Sequence, residues 1–140
     1  NTTGAEIIKQ ANTISAFIAG SGTGGTLMGV NNALKAKKIN AKIIQVQPEE
    51  SNALHGIQGI NDGEDFLLDK TIVDETIFIK TDDAVKRAKK LAKENGLLVG
   101  ISSGANVLAA EKWVEKNNPE RPVVTILCDR GERYFSCYED

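Results

Sequence analysis

The stretch FIAGSGTGGTLMG, Phe17 to Gly29, constrains the fold more than any other part of the chain. An apolar run ends in glycines, and a pattern with helical spacing follows at once. A buried strand feeding a helix through a glycine turn opens a βαβ unit, in which strands lie parallel and ligands sit at their carboxyl ends. Gly20, Gly22 and Gly25 also satisfy the G-x-G-x-x-G spacing. The turn has three readings at this point: a dinucleotide loop, a nest for a single phosphate, or a purely structural glycine turn.

The rest of the chain continues the alternation. Ser15 to Ala19 reads as a buried strand, and Thr26 to Ala36 as a helix whose apolar stripe is Leu27, Val30, Ala33 and Leu34. Lys42 to Gln47 (KIIQVQ) is a second strand closed by Pro48. Glu49 to Asp74, which contains LHGIQGINDGEDF, reads as a long irregular connection, and loops of that length are usually functional or mobile. Glu75 to Lys80 alternates like a strand. Thr81 is the expected N-cap of a helix reaching Asn95, with Asp82 and Asp83 in its first turn and Gly96 at its C-cap. Val85, Ala88, Leu91 and Ala92 face inward there, and Lys86, Arg87, Lys89, Lys90 and Lys93 form the solvated side.

GLLVG then leads into ISSGAN, where Ser102 or Ser103 is the expected cap, and Ala105 to Lys116 reads as a helix with Trp113 partly buried. Val123 to Leu127 is a last strand, followed by the loop CDRGERYFS. Ala5 to Ala11 matches a short helix before the first strand. The expected fold is an α/β three-layer sandwich with a mainly parallel sheet. Its four strands are few for a complete enzyme of that class.

Composition narrows the function classes. A chain of 140 residues with 41% hydrophobic and 26% charged residues is the size and make-up of one globular domain. A formal net charge of −2 argues against a general nucleic-acid surface. No apolar run approaches the roughly 20 residues of a membrane helix, and the start is not a signal peptide. Cys128 and Cys137 read as two thiols in a reducing cytoplasm, and His55, the sole histidine, leaves no basis for a histidine-based metal cluster.

The glycine turn favours an anion on any ligand-binding reading, because bare backbone N–H groups and a helix N-terminus both face it. A dinucleotide also needs an acid about 20 residues on, at the end of the next strand. Gln47 stands there, and Glu49 lies beyond a proline. Thr23 and Thr26 add hydroxyl donors that suit a monophosphate dianion better than a pyrophosphate. A P-loop is excluded, since no Gly-Lys-Ser/Thr follows the glycines.

Taken in order, TTGAEI, GSGTGGTLMGV, QPEES, HGIQGI, GLLVGISSGAN and CDRGERYFS resemble the carboxyl-terminal half of the cysteine synthase (O-acetylserine sulfhydrylase) family. These are pyridoxal-phosphate enzymes of the tryptophan-synthase β-like fold. The resemblance implies pyridoxal 5'-phosphate as cofactor, its phosphate cradled by Gly22, Thr23, Gly24, Gly25 and Thr26. It implies that Ser102 faces the pyridine nitrogen. A hydroxyl there does not enforce a protonated ring, and the weaker electron sink suits β-elimination. HGIQGI resembles the segment that lines the substrate side and moves on closure, with Gly59 near the bound substrate. CDRGERY is similar to the version found in the thiosulfate-using branch, and Cys128 within it reads as a family substitution.

The implied reaction replaces the acetoxy group of O-acetyl-L-serine with sulfide to give L-cysteine. The resemblance further implies a homodimer in the cytoplasm and serine acetyltransferase as a partner, with neither nucleic acid nor membrane involved. The Schiff-base lysine and the Asn/Ser/Thr-rich loop that grips the substrate carboxylate belong to the family's amino-terminal half, and neither motif occurs here. Lys35, Lys37 and Lys38 read as solvent-facing. Residues 1–140 are therefore expected to be the carboxyl-terminal cofactor-binding domain of a larger two-domain enzyme, with no catalytic residue of their own and no activity alone. A non-catalytic module for a phosphorylated ligand or protein partner is the alternative. So is a relative among the cystathionine β-synthases, cysteine desulfhydrases or serine dehydratases. A nicotinamide-binding Rossmann domain is the third reading.

Overall fold

A computed structural model describes residues 13–20, 25–49 and 69–127. In chain order the elements are β1 (Ala16–Gly20), α1 (Gly25–Ala36), β2 (Lys42–Pro48), a 3-10 turn (Lys70–Ile72), β3 (Glu75–Ile79), α2 (Thr81–Asn95), α3 (Ile101–Asn117) and β4 (Val123–Thr125). The strands form one sheet in the order β3-β2-β1-β4, and every pairing is parallel. The expected α/β architecture with a parallel sheet is the one observed.

Parallel strands need both faces covered, and the alternation along each strand assigns the faces. Phe17 and Ala19 of β1 and Ile43 of β2 pack against Leu27, Val30 and Leu34 of α1. Ala16 and Ile18, with Ile44 and Val46, turn the other way onto Ala84 of α2 and Ala105, Ala109 and Trp113 of α3. The central strands are accordingly near-continuous apolar runs, whereas edge strand β3 leaves Phe78 exposed.

The connections locate a crevice. From β1 the chain steps outward to β2 and β3, then returns through α2 and α3 to β4 on the opposite side of β1. The strand order thus reverses at β1, and ligands in open α/β sheets bind beyond the carboxyl ends of the strands at such a point. The carboxyl end of β1 is Gly20, where the glycine turn begins.

Several boundaries differ from the sequence reading. Lys80, not Thr81, is the N-cap of α2, and Thr81 is its first helical residue. Ala84 is buried in place of the expected Val85, while Gly96 closes the helix in the left-handed conformation, as expected of a glycine C-cap. α3 starts at Ile101, well before Ala105, and its N-cap is Gly100, so Ser102 and Ser103 lie inside the first turn and not at the cap position. Ser-Ser-Gly is a poor helix former, and its helicity is imposed by packing. β4 ends at Thr125 instead of Leu127. The connection before β3 ends in a 3-10 turn that periodicity does not reveal. The expected helix at Ala5–Ala11 and the loops around His55 and Cys128 lie outside the described residues.

Hydrogen bonds from side chains fix both ends of that returning segment. Asp74 Oδ2 accepts from Ile43 N–H at 2.7 Å, and its own N–H donates to Ile43 C=O at 2.8 Å, which seats β3 beside β2. Asp69 caps the 3-10 turn by accepting from the Thr71 hydroxyl at 2.6 Å and the Thr71 N–H at 3.0 Å. The hydroxyl first, then the backbone N–H, hold the Asp69 carboxyl below its ordinary range. Because the folded chain favours the carboxylate, this contribution to stability is present at neutral pH and is lost as pH falls through the lowered value. In an NMR titration Asp69 should titrate below an unperturbed aspartate, and Thr71→Val should move its midpoint back toward the ordinary value. An unchanged midpoint in the variant would remove the hydroxyl as the cause.

Candidate functional site

The crevice is assembled from the ends of three segments. β1 delivers Gly20, and after the glycine turn Gly25 and Thr26 open α1. The first turn of α1 carries no acidic residue that would offset the positive end of its dipole. α3 contributes its N-terminal turns, in which Ser102, Ser103, Gly104, Ala105 and Asn106 are all buried. The third segment is the chain leaving β4 at Ile126.

One side chain joins these segments. Asn106 is 1% exposed, its Oδ1 accepts from Gly20 N–H at 2.9 Å, and its Nδ2 donates to Ile126 C=O at 3.1 Å. Ser102 lies one helical turn before Asn106 and shares its face, which turns the Ser102 hydroxyl side of α3 toward the end of β1. Thr125 adds a further tie, its hydroxyl donating to Ile18 C=O at 2.6 Å.

Of the residues singled out from sequence, Gly25, Thr26 and Ser102 fall on this rim. Gly22, Thr23 and Gly24 lie outside the described residues. Asn106 was absent from that set although it stands within ISSGAN. The available signal was a carboxamide four residues beyond Ser102 on a buried stripe. No acid takes the ribose-binding position at the end of β2, where Gln47 pairs with Phe78. Lys35, Lys37 and Lys38 are exposed. Among the described residues no helix is long and apolar enough to cross a membrane.

The arrangement suits an anionic ligand, because an acid-free helix start lies beyond the end of β1. Comparison with known proteins identifies the family. The family model described as "Pyridoxal-phosphate dependent enzyme" matches residues 1–129. The chain belongs to this family. Cysteine synthase B of Campylobacter jejuni is 43% identical over 145 residues, spanning 96% of this chain and 47% of that protein. O-acetyl serine sulfhydrylase isoform 3 from Entamoeba histolytica, a solved structure, superposes with a TM-score of 0.86 at 42% identity over 96% of this chain and 43% of its own. A hydrogen sulfide-producing enzyme from Fusobacterium nucleatum superposes with a TM-score of 0.88 at 35% identity, covering 99% of this chain and 46% of its own. The chain thus spans about half the length of these pyridoxal-phosphate enzymes.

Family membership fits the residues present. Pyridoxal phosphate carries one phosphoryl group, and the acid-free first turn of α1 suits an anion.

Proposed function

We propose that residues 1–140 are the carboxyl-terminal, cofactor-binding portion of a cysteine synthase. The observation that carries the proposal is the switch-point crevice, where an acid-free helix start and the buried Ser102 helix meet at the end of β1. Similarity to cysteine synthases across 96% of the chain supports the reaction class.

In this reading the backbone N–H groups of Gly22, Gly24 and Gly25 and the hydroxyls of Thr23 and Thr26 bind the phosphoryl group and fix the ring's position. Ser102 orients the ring through its nitrogen without enforcing a proton there. When bound, the coenzyme supplies an electron sink that lets the acetoxy group leave O-acetyl-L-serine before sulfide adds. The lysine and the carboxylate-gripping loop come from the amino-terminal half of the enzyme. The reading includes homodimer assembly, a cytoplasmic location and docking of serine acetyltransferase, all by analogy with the family.

The test uses the full-length protein freed of cofactor. Pyridoxal phosphate should bind in preference to pyridoxal, and O-acetyl-L-serine with sulfide should then yield L-cysteine. NAD binding without pyridoxal phosphate binding would overturn the assignment. A second reading, release of sulfide from cysteine, is favoured by the superposition on the sulfide-producing enzyme. Sulfide formation from cysteine exceeding cysteine formation would select it. Pyridoxal-phosphate binding with neither reaction would leave a non-catalytic binding module.

A further inference from the structure

The register of β1 against β4 shows what Asn106 does. Ala16 pairs with Val123, Phe17 with Val124 and Ile18 with Thr125, and there the ladder stops. Carried two residues further, it would set Gly20 opposite Leu127, the position from which a parallel ladder joins Gly20 N–H to Ile126 C=O. The Asn106 carboxamide stands between those two groups, accepting from the first and donating to the second. A carboxamide has the donor and acceptor of a peptide unit, so it prolongs the hydrogen-bond chain while holding the strands apart.

This geometry points to Asn106 as a positioning residue for the phosphate site. Its carboxamide is spliced into the β1–β4 ladder at the switch point, keeping the two strands apart there and fixing Gly20 at the end of β1. The inference rests on the cofactor reading above and assigns Asn106 a role through the backbone groups of Gly20 and Ile126. Only a side chain with both a donor and an acceptor at that reach satisfies both backbone groups. Alanine leaves the ladder either to close directly, narrowing the crevice, or to keep two buried groups without partners. Aspartate retains the acceptor for Gly20 but sets an oxygen against the Ile126 oxygen and brings negative charge toward the phosphate.

The experiment compares the full-length, cofactor-free protein with its Asn106→Ala and Asn106→Asp variants. Equilibrium dialysis measures pyridoxal phosphate and pyridoxal separately, and thermal unfolding is followed in parallel. Both variants should bind pyridoxal phosphate at least about tenfold more weakly, the loss of a buried hydrogen-bond partner, while pyridoxal affinity is unchanged. Hydrogen exchange at the Gly20 amide should quicken in the alanine variant if the groups stay apart. If the ladder closes, that amide stays protected and the phosphate-specific loss remains. Equal losses for both ligands, or none in a folded variant, would overturn the positioning role. If either variant does not fold, Asn106→Ser, which is smaller but still donates and accepts, is measured under the same criteria. Wild-type protein that binds no pyridoxal phosphate would instead defeat the cofactor assignment itself.

Discussion

Gly104→Ala is expected to destabilise the protein by about 3 kcal/mol, at the upper end of what overpacking usually costs. A Cβ added at Gly104 would overlap the Ala84 carbonyl oxygen and would stand 3.0 Å from Ala88 N and 3.1 Å from Ala88 Cβ. Two of those three atoms are backbone of α2, so no rotamer change relieves the clash and the helices must separate. Ala88→Gly removes only the side-chain contact, and the double variant should therefore stay close to Gly104→Ala. Because Ser102 and Asn106 flank Gly104 in α3, the displacement should also weaken ligand binding at the crevice. Chemical unfolding of the full chain reads the first effect. An unchanged midpoint would contradict the close approach of α2 and α3.

Phe17→Ala should cost about 3–5 kcal/mol, the usual range for emptying a fully buried aromatic site. Phe17 is 0% exposed, on the strand with neighbours on both sides, and it packs in the cluster that includes Leu27, Val30 and Leu34 of α1. The cavity would lie under the helix whose start faces the crevice. Loss of stability and weaker ligand binding at the crevice should therefore appear together. Phe17→Leu, which refills most of the volume, should recover the larger part of both. A loss below about 1 kcal/mol for Phe17→Ala would mean that the site collapses around the missing ring.

Among the described residues, Arg87, its side chain 18% exposed, pairs with Glu111 across α2 and α3, and Lys116 Nζ lies 3.3 Å from Glu75 Oε1. An exposed pair such as Lys116–Glu75 contributes about 0–1 kcal/mol. The apolar layers and the close Gly104 contact set the relative placement of the helices.

The sequence made the central strands and α1 legible because burial on both faces writes an apolar run and burial on one face writes a helical stripe. AFIA and KIIQV could serve as little else, and Gly96 was readable because a left-handed C-cap favours glycine. The start of α3 was not readable for the opposite reason. Its first turns are buried on every side by Ser, Gly, Ala and Asn, so neither periodicity nor propensity marks a helix there. The same feature hid Asn106, whose role depends on two backbone groups 86 and 20 residues away. The proposed phosphate and ring-nitrogen partners Gly25, Thr26 and Ser102 were legible only through their motifs. The start of α1 and the first turns of α3 both lie at the end of β1.

The central claim is that the crevice between β1 and β4 receives the phosphoryl group of pyridoxal phosphate. A crystal structure of the full-length protein with this coenzyme tests it most directly. The account requires phosphoryl oxygens bonded to backbone N–H groups at the start of α1, with the ring nitrogen beside the Ser102 hydroxyl. A phosphoryl group anchored anywhere else on the protein would contradict it.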